Sequence, residues 1–173
     1  MSEREPHILQ FRYGSLASED QSMFAPDRVP TLLHGLVTVL EESAYAPSET
    51  LVAEFLARVV GGDSPSQAHE GFFVALVDER TVGFLQARCV FDDAEIDYVA
   101  VARAHRGKGI AGALLGAFET ASLALGASRL LLEVGERNVI ARALYKGQGY
   151  EPVGRRENYY KGGEAAIVYE KTP

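Results

Sequence analysis

Residues 95–134 constrain the fold more tightly than any other part of the chain. An apolar-rich run, "EIDYVAV", leads into a turn, "ARAHRGKG". Beyond the turn, Ile110, Leu114, Phe118 and Leu125 share one face of a helix. That helix is expected to run about 18 residues, with Gly126 at its C′ position. "RLLLEV" follows, a continuous apolar run typical of a strand covered on both faces. Strand, helix and strand make a βαβ unit, with parallel strands and a right-handed crossover.

The turn carries Gly107, Gly109 and Gly112, a literal G-x-G-x-x-G. Such glycines serve dinucleotide sites, other phosphate cradles, or close packing of a helix on a sheet. Three features count against a dinucleotide site. Ala102 to Arg106 intervene between the strand and the glycines, and three antiparallel strands are expected before them. Only about 60 residues follow the motif, too few for a second mononucleotide-binding half. A G-x-x-x-x-G-K-[ST] loop cannot be drawn, because Gly109 follows Lys108. The physics of the segment does not depend on its label. A glycine-rich helix start exposes backbone N–H groups, and the helix dipole favours an anion there. Arg103, Arg106 and Lys108 add positive charge, so the turn suits a pyrophosphate.

The rest of the chain supplies a sheet around this unit. Residues 1–6 read as a loose tail and "HILQFRYG" as a first strand; residues 15–28 read as loop. Leu32, Leu33, Leu36, Val37 and Leu40 form a helical stripe, and "APSETLVAEFLARVV" is a second helix stopped by Gly61 and Gly62. "GGDSPSQAHE" is a polar loop. "GFFVALVD", "VGFLQARCVF" and "AEIDYVAV", joined by short links, read as an antiparallel meander. "NVIARALYKGQGY" is a short helix, and "EPVGRREN" and "EAAIVYEK" are two final strands. The reading is one α/β domain over 1–173 with a mixed, mostly antiparallel sheet and a central parallel βαβ unit flanked by helices.

Composition narrows the partners. The net charge of −7 argues against broad nucleic-acid binding, which needs an excess of Lys and Arg, and leaves a cationic substrate open. Cys89 is the single cysteine, so no internal disulfide forms, and its place inside a strand makes it a small core residue. His7, His34, His69 and His105 lack ligand spacing, so no metal is expected. No apolar run is long enough for a membrane span and "MSEREPH" has no signal-peptide core, so a soluble, cytoplasmic protein is expected. Oligomeric state, monomer or homodimer, is left open.

Glu133 interrupts an apolar strand near its C-terminal end, beside the strand that feeds the glycine turn. A carboxylate there is expected to be partly desolvated and a better proton acceptor near neutral pH, unless it simply reaches water. Asn138 fits the N-cap of the following helix. Tyr145 lies seven residues later, on a similar side, and either fills a core edge or presents its hydroxyl to a site. Tyr159 and Tyr160 with Gly162-Gly163 make a loop that either covers such a site or is a plain aromatic turn.

"VAVARAHRGKGIAGALL" resembles motif A of the GCN5-related N-acetyltransferase (GNAT) family, whose signature is [RQ]-x-x-G-x-[GA], here Arg106, Gly109 and Ala111. The likeness continues through "LEVGERNVIARALYKGQGYEPVGRRENYY" and is close to the RimI type, which acetylates the N-terminal amine of a ribosomal protein. It covers about residues 71–171 well and residues 1–44 hardly at all. The resemblance implies a GNAT-like acyl-CoA N-acyltransferase fold with an acetyl-CoA-binding core over 71–171 and a variable acceptor-side region over 7–70. It implies that Arg106, Gly107, Lys108, Gly109, Ile110, Ala111 and Gly112 cradle the pyrophosphate of acetyl-CoA. It implies that the backbone of Val99, Ala100 and Val101 holds the acetyl carbonyl and pantetheine amides. Asn138 would bond the pantetheine arm, Glu133 would be the general base, and Tyr145 the general acid that protonates the departing thiolate. The acceptor implied is a primary amine, favouring a protein N-terminus; a small-molecule amine or a non-catalytic acyl-CoA-binding module are the alternatives.

Overall fold

The computed structural model describes residues 6–12, 15–16, 29–43 and 69–173. The helix expected over 46–60 lies outside the described residues, as do most of the two loops at 15–28 and 61–70. The described elements are β1 (His7–Arg12), β2 (Ser15–Leu16), α1 (Val29–Glu41), β3 (His69–Val77), β4 (Arg80–Val90), β5 (Asp93–Val101), α2 (Ile110–Ala124), β6 (Arg129–Gly135), α3 (Val139–Gly147), β7 (Glu151–Arg156) and β8 (Ala166–Lys171). A single 3-10 turn, Arg103–His105, links β5 to the glycines.

The strands form one eight-stranded sheet in the order β2-β1-β3-β4-β5-β6-β8-β7. Only the β5–β6 pair is parallel; the other pairings are antiparallel. The meander β3-β4-β5 and the β5-α2-β6 unit are as the sequence patterns predict. Two details differ. Ser15 and Leu16 pair with Arg12 and Phe11 instead of being loop. The central helix has 15 residues, not about 18, running from Ile110 to Ala124, with Gly107 and Gly109 in left-handed backbone before it. Gly126, at φ 91°, ends it one residue after Leu125.

The sheet is covered on both faces. Along β3, Phe73 and Ala75 enter one apolar cluster while Phe72, Val74 and Leu76 enter the other, the two-residue period of a strand. The first cluster packs under α2 and α3 through Leu114, Leu115, Phe118 and Tyr145. The second packs under α1 through Leu32, Leu36, Val39 and Leu40. Cys89 is buried in the first cluster, and burial pushes its thiol pKa up, which suits a core residue.

Helix α1 sits very close to β4. A Cβ at Gly35 would stand 2.7 Å from the Thr81 carbonyl oxygen and 2.9 Å from the Thr81 nitrogen. The Thr81 hydroxyl donates to the Leu32 carbonyl at 3.0 Å, in a buried position, fixing the same contact. Gly35→Ala is therefore predicted to destabilise the protein. A forced core contact costs about 1–3 kcal/mol, against a gain of roughly 1 kcal/mol from replacing a helical glycine by alanine. A net loss of up to about 2 kcal/mol should appear as a lower urea midpoint with an unchanged slope.

Candidate active site

The two central parallel strands part company. Asp93, Ala94, Glu95 and Ile96 of β5 register with Arg129, Leu130, Leu131 and Leu132 of β6, and the pairing ends there. Beyond it β5 still pairs with β4, Val99 with Leu85, Ala100 with Phe84 and Val101 with Gly83, but no longer with β6. A bulge in β5 at Asp97, left over where Gln86 and Ala87 of β4 register with Tyr98 and Ile96, helps β5 turn away at this level. The result is a gap between the C-terminal ends of two parallel strands, where open α/β sheets place ligands.

The glycine turn closes one end of that gap. Gly109 is the N-cap of α2, and no side chain caps the helix start. Gly107 and Gly109 have φ of 75° and 79°, and a Cβ on either would meet nothing within 4 Å. Their role is thus backbone conformation and open access, not tight packing. Ile110 turns into the core, and Gly112 lies against the Gln148 amide. Lys108 and Ala111 share this first turn. The structure departs from the simple charge picture at Arg106. Its guanidinium donates to the carbonyls of Val101 at 3.0 Å and Glu42 at 3.1 Å, so it braces the turn. The Val101 carbonyl, foreseen as a ligand contact, already accepts this bond.

Glu133 is the first β6 residue past the last β5 pair. Its side chain is 11% exposed, so the expected desolvation is present. What sequence reasoning missed is its company. Arg156 Nη1 lies 2.9 Å from Glu133 Oε1, and the same carboxylate is the main cause of a raised pKa at the Tyr159 hydroxyl. The Arg156 guanidinium also stands 5.7 Å from the centre of the Tyr159 ring, and Tyr159 meets Tyr160 edge-on at 5.0 Å. The loop at 157–165 therefore does reach the Glu133 carboxylate.

Tyr145 is buried, with Tyr150 and Tyr169 rings each 6.2 Å from its own. Burial raises its pKa, and the neighbouring Tyr160 hydroxyl adds to the shift. Its phenol therefore stays protonated across neutral pH. Asn138 is the N-cap of α3, its Oδ1 accepting from the Ala141 N–H at 3.2 Å. That leaves its amide NH₂ outside the cap.

A second polar cluster flanks the gap on β4 and β5. Arg88 bonds Glu95 at 2.6 Å and also Asp97. Asp97 is only 26% exposed, and its burial outweighs the guanidinium, raising its pKa to about 6. Among the described residues no group of His, Cys, Asp and Glu is placed to hold a metal ion, and no helix is long and apolar enough to cross a membrane.

The family model described as acetyltransferase (GNAT) family matches residues 36–150. An N-acetyltransferase of Methanocaldococcus jannaschii is 35% identical over 101 residues, 58% of this chain and 65% of that protein. The ribosomal protein bS18-alanine N-acetyltransferase of Haemophilus ducreyi is 34% identical over 82 residues, 47% of this chain and 57% of its own. The chain spans less than two thirds of the length of either relative. Among solved structures, the ribosomal-protein-S18-alanine N-acetyltransferase of Escherichia coli superposes with a TM-score of 0.67 at 23% identity, covering 95% of this chain and 94% of that one. That likeness carries the fold.

The raised Asp97 pKa has a testable sign. The folded protein binds a proton at Asp97 more tightly than the unfolded chain, so this group favours folding at acid pH. Its contribution is full below about pH 4, the unfolded value, and is lost as pH rises through about 6. Asp97→Asn has no such dependence. The stability of the variant relative to wild type should rise by about 1–2 kcal/mol between pH 4 and pH 7, after allowance for solvent screening. Urea titrations at the two pH values measure it.

Proposed function

The chain belongs to the acetyltransferase (GNAT) family, and on that premise we propose that it transfers the acetyl group of acetyl-CoA to a primary amine, a protein N-terminal α-amine being the favoured acceptor. The observation that carries the reading is the parting of β5 from β6, with an uncapped glycine turn on one lip and Glu133 on the other. The similarity to the bS18-alanine N-acetyltransferase of Haemophilus ducreyi supports the choice of acceptor.

The residues present fit acetyl-CoA. The open space over Gly107 and Gly109 admits a diphosphate against backbone N–H groups from Gly107 to Gly112. The released edge of β5 at Val99, Ala100 and Val101 offers main-chain groups to the amides of the pantetheine arm, and the Asn138 NH₂ offers one more donor. When bound, acetyl-CoA supplies an acyl group activated as a thioester.

The chain's own groups then divide the proton traffic. The acceptor arrives as an ammonium and meets Glu133, where it takes the place of Arg156. The exchange swaps one cation for another: the largely exposed Arg156 returns to water while the incoming ammonium keeps the nearly buried carboxylate paired. Glu133 takes the proton, directly or through a water, and frees the amine to attack. Tyr159 keeps the carboxylate oriented meanwhile. Tyr145, held protonated by burial, gives its proton to the departing sulfur. Holding both reactants in one gap supplies much of the acceleration.

Mass spectrometry of peptide and small-amine libraries after incubation with acetyl-CoA tests the reading. Acetylation of peptide N-termini is expected; turnover confined to small amines would reassign the acceptor, and coenzyme binding without any turnover would reduce the chain to a binding module. Glu133→Gln is expected to lower kcat by about 10²–10³-fold and Tyr145→Phe by about 10–10²-fold, with acetyl-CoA affinity retained in both. Stopped-flow or steady-state rates at saturating substrates check this, and wild-type rates in Glu133→Gln would remove the base from its role.

A further inference from the structure

The C-terminal end of α1 grips the coenzyme turn from the opposite face of the sheet. The Glu42 carboxylate accepts a bond from the Arg103 backbone N–H, at the start of the 3-10 turn. The Glu42 carbonyl accepts from Arg106 Nη2 at 3.1 Å, while Arg106 Nε donates to Val101 at 3.0 Å. One residue on, Ser43 accepts a bond from the Tyr98 hydroxyl, inside the part of β5 that has left β6. Two consecutive residues just past the end of α1 thus hold β5 at Tyr98 and the loop at Arg103 to Arg106.

A carboxylate is out of place at a helix C-terminus, where the dipole is already negative. Helix α1 ends at Glu41, with Glu42 directly after it and no basic residue in its last turn. The 3-10 turn, for its part, has Ala102 at its N-cap and no side chain of its own to cap it. Glu42 answers both conditions at once: its anion is stabilised by the Arg103 N–H, and the Arg106 guanidinium lies beside it on the same residue's carbonyl. The body of α1 is well anchored to provide the reaction force, with Leu36, Val39 and Leu40 buried against the sheet.

We propose that Glu42 is a positioning residue for the coenzyme turn. It fixes the 103–106 segment, and so sets the direction in which the N–H groups of Gly107 to Gly112 point. It also ties the helix on the acceptor side of the sheet to the coenzyme side. The proposal rests on the acetyl-CoA reading above.

Isothermal titration of the full chain with acetyl-CoA, beside thermal denaturation and steady-state kinetics, tests it on wild type, Glu42→Ala, Glu42→Gln and Ser43→Ala. Glu42→Ala is expected to bind acetyl-CoA about tenfold more weakly, the loss of one charge-assisted bond, with the loss falling on KM for acetyl-CoA and not on kcat. Glu42→Gln keeps an acceptor oxygen for the Arg103 N–H and should stay within about threefold of wild type. Ser43→Ala releases Tyr98 but not the turn, and its acetyl-CoA affinity should match wild type. Equal affinity in Glu42→Ala and wild type overturns the proposal. So does a loss in Ser43→Ala as large as in Glu42→Ala, or a loss of affinity that tracks a falling Tm across the set, since either assigns the effect to loosened packing of α1. A wild type that does not bind acetyl-CoA fails the coenzyme reading itself, and the proposal falls with it.

Discussion

The structure turns on the point where β5 and β6 stop pairing. Four residue pairs hold them together and then each goes its own way. Main-chain groups left inside a sheet without partners cost about 1–3 kcal/mol each when kept from water, so a gap of this kind persists only if something else meets them. Arg106 takes one of them, the Val101 carbonyl. The crossover helix must begin at the same level, because a right-handed connection from β5 to β6 leaves from the C-terminal end of β5. The positive end of α2 and the open strand edge are therefore brought together by topology, and Glu133 falls at the same height because it directly follows Leu132, the last paired residue of β6.

On the acceptor side the balance of forces is finer. Glu133 is nearly buried yet never alone, held by one mobile cation and one phenol. A fully buried ion pair would resist exchange, since breaking it strands a charge. Here the cation is largely in water and the anion is not, so an incoming ammonium can replace the guanidinium while the carboxylate stays in place. The Tyr145 hydroxyl lies in buried surroundings that, with Tyr160, favour its neutral form.

Much of this was legible in the residues. The apolar runs at 71–77, 82–90 and 94–101 specify the meander, and the switch to a helical period at Ile110 places the crossover. The glycines at 107 and 109 mark a helix start with access from outside, and Asn138 announces a cap. The partners of those residues were not legible. Arg156 reaches Glu133 because Gly154, Val168 and Glu133 lie in one row across β7, β8 and β6, and Arg156 is one pleat further along the same face. That row exists only once β8 is known to lie between its predecessors, and no local pattern encodes strand order. Glu42 and Arg106 are 64 residues apart, each just past the end of its own element, and no local pattern pairs them. Arg106 adds something the motif does not announce: its side chain braces the turn through the Val101 and Glu42 carbonyls. The helix expected over about 18 residues after the glycines has 15, from Ile110 to Ala124.

The strand order has a further consequence during synthesis. Strand β7 is made before β8 but touches the sheet only through it. While the ribosome is still making residues 157–165, the segment 151–156 lacks the strand it pairs with, and β6 lacks its outer neighbour. Arg156 cannot be delivered to Glu133 until β8 has been released from the exit tunnel and inserted between them. A nascent chain carrying every residue of the proposed coenzyme turn would still be without an assembled acceptor side, so competence arrives late and all at once, with the strand that is translated after the others.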